Sequence, residues 1–166
     1  MANVNNRHSF LWEKTNHSGA VKIKRYVTTS AAKIGVGDPL ILAAWTSATQ
    51  KGGVKLAGAT STALFGFAVE SCTSTAGVRK SVALIPAESG YIFSAQMSGT
   101  LNLTVGYLGK KCTIGSSTTA GKIGLSNPNA ATSVLQIIGL RPGSAWGTYA
   151  ELLVAVVRSS YDGSIR

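Results

Sequence analysis

Groups able to do acid, base, nucleophilic or metal chemistry are few in this chain, and they are scattered. Its 166 residues carry six carboxylates: Glu13, Asp38, Glu70, Glu88, Glu151 and Asp162. Both histidines, His8 and His17, fall near the start. A serine hydrolase needs a Gly-x-Ser-x-Gly elbow. The nearest strings, Gly115-Ser116-Ser117 and Gly143-Ser144-Ala145-Trp146-Gly147, do not match it. Glycoside hydrolysis needs two carboxylates held roughly 5–9 Å apart. A hairpin could bring Glu70 to Glu88, but nothing requires it, and both read as solvated or salt-bridged carboxylates. Metal sites need convergent His, Cys, Asp or Glu, and here there is neither an Asp-rich calcium loop nor a His pair in regular sequence. Gly121-Lys122-Ile123-Gly124 has the glycines of a phosphate cradle. It runs into the turn Leu125-Ser126-Asn127-Pro128 instead of a helix. The expectation is a structural or binding protein with no catalytic residue, no metal and no cofactor.

Cys72 and Cys112 are too far apart for a CxxC motif and too few for a disulfide framework. Both sit in strand-like sequence and read as small buried thiols that are not bonded to each other. The first residues, Met-Ala-Asn-Val-Asn-Asn-Arg-His, lack the apolar stretch of a secretory signal. No apolar run approaches the ~18–20 residues of a membrane span. These features point to synthesis in a cytosol.

The elements that would position these groups are strands. Ala20–Val27 alternates apolar and basic residues through Lys24 and then shifts phase, which predicts a strand with a bulge near Arg25. Gly35-Val36-Gly37-Asp38-Pro39 is turn chemistry leading into the strand Leu40-Ile41-Leu42, with Pro39 at its start or on an edge. Residues 46–62 read as a long hairpin loop with a short strand at Val54–Ala57. Further strands are expected at Leu64–Glu70, Val78–Ile85, Tyr91–Gln96, Leu101–Leu108, Lys111–Ile114, Lys122–Leu125, Val134–Leu140 and Ala150–Arg158. A short helical turn could occupy Pro86–Ser89. Roughly ten strands with Gly, Pro, Asn and Ser at the turns indicate an all-β fold, a single small β-barrel or sandwich. Trp45 and Trp146 adjoin small residues near turns and read as core or rim packing rather than stacking platforms.

The formal charge is +10, yet only 13% of residues are charged, against roughly 25% in average soluble domains. Such a chain would show much neutral surface, which suits a protein covered by neighbours in an assembly. The bases are dispersed, with a cluster at Lys22, Lys24 and Arg25 and pairs at Arg79-Lys80 and Lys110-Lys111. Three readings stay open: a solvated basic face that maintains solubility, docking to an acidic protein surface, and direct nucleic-acid binding.

Residues 1–18 differ from the rest, being polar around one apolar knot, Phe10-Leu11-Trp12. They read as an extended N-terminal arm on a β-barrel domain, residues 19–158, followed by a polar tail, residues 159–166. Leaving three large apolar side chains in water is unfavourable, since full burial stabilises by ~1.5–3 kcal/mol each. They are expected to pack on this chain's own barrel or, by preference, on a neighbour.

The order of segments is similar to that of a known family. It runs from Gly35-Val36-Gly37-Asp38-Pro39-Leu40-Ile41-Leu42 through Leu64-Phe65-Gly66-Phe67-Ala68-Val69-Glu70 to Val82-Ala83-Leu84-Ile85-Pro86. Tyr91-Ile92-Phe93-Ser94-Ala95, Val105–Ile114, Ile137-Ile138-Gly139-Leu140 and Leu152–Val157 complete it. This series resembles the small β-barrel (β-tulip-like) capsid decoration, or cement, proteins of tailed bacteriophages over about residues 19–158. The resemblance implies a virion structural protein, made in the host cytoplasm, that binds the outer capsid surface and bridges major capsid subunits. Its partners would be the major capsid protein and further copies of itself, as a dimer or trimer, with no membrane and with nucleic acid ranked last. Members of that family often clasp the shell with a terminal arm. The expected contact residues are therefore Arg7, Phe10, Leu11, Trp12, Lys14, Lys22, Lys24 and Arg25. The competing readings are a phage tail or receptor-binding β-module and a basic nucleic-acid-binding barrel.

Overall fold

The computed structural model of the chain describes residues 9–15, 20–29, 31–43, 53–88, 90–98, 100–115, 120–126, 128 and 133–161. Strands dominate, as β-branched residues between Gly- and Pro-rich turns require. One antiparallel sheet has six strands: β1 (Leu11–Thr15), β9 (Tyr91–Gln96), β13 (Glu151–Val156), β12 (Leu135–Leu140), β10 (Lys111–Ile114) and β11 (Leu125–Ser126), in that spatial order. A second has five: β2 (Lys24–Val27), β8 (Ser81–Pro86), β6 (Gly66–Ala68), β4 (Pro39–Ala43) and β5 (Gly53–Leu56). A short ladder joins β3 (Lys33–Ile34) to β7 (Cys72–Thr73).

The all-β expectation holds, in its sandwich form. The five-stranded sheet curls until the end of β2 meets β5 at a parallel bridge, Thr28 to Val54; in the six-stranded sheet a parallel bridge, Met97 to Leu125, joins the end of β9 to β11 and leaves β1 outside. No full ladder closes either sheet among the described residues, so neither is a closed barrel.

The sheets pack face to face through aromatic and aliphatic side chains. The Phe67 ring lies 3.9 Å from that of Phe93, and Phe10 lies 5.1 Å from Phe67. On β13, Leu152, Val154 and Val156 are buried while the alternate residues stay partly exposed, the period-two pattern of a strand with one covered face. A second, smaller core of Ile34, Leu40, Val54, Phe65, Val82 and Leu84 fills the inside of the curled five-stranded sheet. Strand β8 serves both cores, with Val82 and Leu84 in the second and Ile85 in the first. This explains why Val82-Ala83-Leu84-Ile85 is a continuous apolar run: a strand covered on both faces has no polar side to display. Cys72 and Cys112 are buried free thiols.

Several local expectations are corrected. Leu101–Leu108 is not a strand but contains a 3₁₀ turn, Val105–Tyr107, closed by N–H bonds from Tyr107 to the Thr104 carbonyl and from Leu108 to the Val105 carbonyl. Only Leu103 in this stretch is buried, so the segment has little apolar burial to hold it flat on a sheet. Strand β2 starts later than expected, and its ladder with β8 runs without a register shift, so there is no bulge at Arg25. Shifts occur instead in β1, between Trp12 and Lys14, and in β12, between Ile137 and Gly139. Pro86 ends β8, while Ser89, at the close of the expected helical turn, lies outside the described residues.

The boundaries of arm and tail move for the same physical reason. Residues 11–15 are not a detached arm but the edge strand β1, paired with β9. Phe10 is 2% exposed within the main core. At the other end Ser159 is buried and bridged to Leu64, and Tyr161 packs on Phe65. In both places large side chains recover on their own chain the burial that the sequence reading assigned to a partner or left out.

Candidate binding face around the first strand

Three chain segments converge at the start of β1. Asp38, fully buried, accepts hydrogen bonds from the Ser9 hydroxyl (2.5 Å), the Gly35 N–H (2.7 Å) and the Gly121 N–H (3.0 and 3.1 Å to its two oxygens). Ser9 Oγ in turn accepts from the Ile123 N–H at 2.9 Å. Phe10 donates its N–H to the Gly37 carbonyl. The glycines are needed here for space. A Cβ on Gly35 would lie 2.1 Å from Gly121 N, and one on Gly37, whose φ is +80°, would lie 2.3 Å from Phe10 O. A buried carboxylate is tolerable only when its lone pairs are occupied, and this one accepts from three donors. The Gly-Asp-Pro turn read from the sequence is thus a knot that anchors the N-terminal segment to two loops.

A second polar cluster holds the far side of β1. Glu13 sits at the register shift, where a bulge re-aims its side chain. Its Oε1 accepts from the Ser94 hydroxyl at 2.6 Å and from Arg141 Nε at 2.9 Å. The same guanidinium donates to Glu151 Oε2 at 3.0 Å. The hydrogen bond to Glu151, with the charges of both carboxylates, pushes the Arg141 pKa up. A permanently charged guanidinium thus bridges two carboxylates and offsets one of their two charges.

Between these clusters lies an apolar cleft of about 130 Å³. Its buried lining includes Phe10, Phe67 and Phe93, and Leu11, Trp12 and Val36 are its exposed residues. Leu11 is 36% and Trp12 43% exposed, directly after a residue sealed in the core. A larger hollow of about 360 Å³, bordered by Ile41, Leu42 and Ser160, has no titratable side chain in its lining.

The predicted contact residues do not form one patch. Phe10 is internal. Leu11 and Trp12 are exposed on the edge of the six-stranded sheet, whereas Lys24 and Arg25 lie on β2, at the edge of the other sheet. Arg7 lies outside the described residues, as do the side chain of Lys14, Trp45 and both histidines. Lys24 hydrogen-bonds the Tyr161 hydroxyl, which raises the lysine pKa. Arg25 makes a two-pronged pair with Glu70, at 2.9 and 3.0 Å, and Glu70 also accepts from the Ala83 N–H. Lys22 is exposed just before β2. Trp146 packs against the main core. No protein-family model matches the chain, and no curated protein matches it.

The sequence reading expected Glu70 and Glu88 to be solvated or salt-bridged, but it did not identify the partners of the carboxylates. Glu13, Glu70 and Glu151 pair with arginines, Asp38 is sealed in its knot, and half-buried Glu88 hydrogen-bonds Tyr91. Asp162 lies outside the described residues. The exposed lysines Lys33, Lys55, Lys80, Lys110, Lys111 and Lys122 therefore set the sign of the outer surface. Composition showed the excess of bases; only the fold shows that the few acids are used internally.

Proposed function

We propose that this chain is a virion structural protein that docks on the outer surface of a capsid shell and stabilises it by bridging major capsid subunits. The observation that carries the reading is the exposed Leu11–Trp12 rim over an apolar cleft, on a protein whose described carboxylates are engaged internally. Exposed apolar surface next to a concave seat favours protein contact. A net positive charge steers such a surface towards an acidic partner. A rigid two-sheet core and a charge-poor exterior suit a part that is covered by neighbours. The resemblance of the strand order to phage decoration proteins points the same way.

Purified protein would be sedimented with capsid shells of the encoding phage that lack this chain. Saturable co-sedimentation that raises the shell's disruption temperature is expected, and Trp12→Ala should weaken it. No binding at low salt would overturn the proposal. Retention on duplex DNA that falls steeply with salt, without shell binding, would assign the basic surface to nucleic acid instead.

A further inference from the structure

Strand β1 ends the six-stranded sheet and pairs only with β9 among the described residues. One row of its backbone donors and acceptors is therefore outside any described ladder, and such an edge is a template for a further strand. Beside it the two sheets part to leave the cleft whose lining includes Trp12, Val36 and Phe67. An edge strand over an apolar gap is the arrangement in which an extended peptide gains backbone bonds from the edge and selectivity from a side-chain pocket.

The charges around the cleft choose among peptides. Gly35, next to rim residue Val36, packs against Gly121, which brings exposed Lys122 to that side. Lys33 is exposed two residues before Gly35. On the other side Val69 adjoins Glu70, whose charge is matched by Arg25. Asp38 is sealed beneath, and Glu13, next to Trp12 on β1, is held by Arg141 and Ser94. The cleft's own lining carries no charge, and the exposed charges in the segments beside Val36 are the lysines Lys33 and Lys122.

We infer that the β1 edge and its cleft form a strand-addition site for an extended segment of a partner protein, one with aliphatic side chains at its centre and Asp or Glu on its flanks. A central aliphatic side chain enters the cleft beside Trp12, and the acidic flanks face Lys33 and Lys122. This rests on the proposed docking function for the identity of the partner, but not for the chemistry of the site.

The probe is a synthetic heptapeptide with a Val-Leu-Val centre between paired Asp and Glu residues, compared with its Lys-flanked counterpart. Amide exchange of the full-length chain is followed by NMR. The acidic peptide should slow exchange in Leu11–Thr15, shift the Trp12 indole signal and bind at least about tenfold tighter than the basic one. Val36→Asp, an exposed substitution that leaves the core intact, should weaken it by a similar factor. No binding, equal binding of the two peptides, or protection confined to other strands would overturn the inference. So would protection of Leu11–Thr15 in the free chain that disappears when residues 1–8 are deleted, because the chain would then fill its own edge. Shell sedimentation separates the two proposals. Peptide binding without shell binding removes the capsid reading and keeps the site. Shell binding unaffected by Val36→Asp keeps the capsid reading and removes the site.

Discussion

Ser9–Phe10 and Leu11–Trp12 are consecutive in the chain and opposite in environment. Ser9 binds a buried carboxylate and Phe10 packs at a tilt against Phe67 inside the core, whereas Leu11 and Trp12 keep more than a third of their surface in solvent. Hydrophobicity does not distinguish the two pairs, since Trp12 is larger than Phe10 and offers at least as much area to bury. Position does. Phe10 precedes the edge strand and packs on Phe67 in the main core, and Trp12 lies on that strand at the exposed rim of the cleft. One short segment therefore both locks the fold and presents a surface.

The largest test of this contrast is Phe10→Ala. Removing a sealed aromatic that touches Phe67 should cost about 3–5 kcal/mol, read as a lowered denaturant midpoint. A loss below about 1 kcal/mol would mean that Phe10 is not a core residue, and would restore the idea of a detachable arm. Asp38→Ala comes next. It strands the Ser9, Gly35 and Gly121 donors and should destabilise by roughly 2–4 kcal/mol, whereas Asp38→Asn should recover part of that. Equal stability of all three proteins would show that the knot is not holding the segment.

The third test uses alkali. Burial pushes the Cys112 thiol up to about 12 from 9.0, and burial also raises Tyr26 and Tyr91. Each of these groups stays protonated in the folded chain at a pH where the unfolded chain loses its proton. Their contribution is therefore complete below the unfolded pKa values and declines as pH rises through the window between unfolded and folded values. For Cys112 the loss should reach roughly 2–3 kcal/mol near pH 11, and Cys112→Ala should remove that part of the slope. Cys112 shares the main core with Phe10. Its labelling by a thiol reagent should accordingly accelerate in Phe10→Ala and stay unchanged in Trp12→Ala. The smallest expected effect is Trp12→Ala on stability, about 1 kcal/mol or less for a half-exposed side chain, measured by thermal melting. A large loss there would erase the distinction between the two pairs.

What could be read without the structure depended on the range of the interaction. Strand β9 was found over its full extent, because Tyr91–Gln96 is a compact aromatic and aliphatic run between turns. Pro39 reads as either a strand start or an edge residue for a local reason, its missing N–H, and it begins β4. The Leu101–Leu108 stretch misled because its composition is as strand-like as that of β9, yet only Leu103 finds a place in the core. The knot was half legible: Gly-Asp-Pro marked a turn, but nothing near Asp38 reveals that its donors include Ser9 and Gly121. The carboxylate pair Glu13 and Glu151, joined through Arg141, gave no sequence signal at all.

The amino-acid sequence by itself determined the all-β class, the scarcity of chemical groups, the positive charge and the presence of one apolar knot near the start. Those are properties of composition and of period-two patterning, which are local. Tertiary structure decided which member of the knot is core and which is surface, which bases keep a free charge, and that the sheets form a sandwich without full closure. These depend on which distant segments meet, and residues that meet across two sheets leave no regular spacing in the chain.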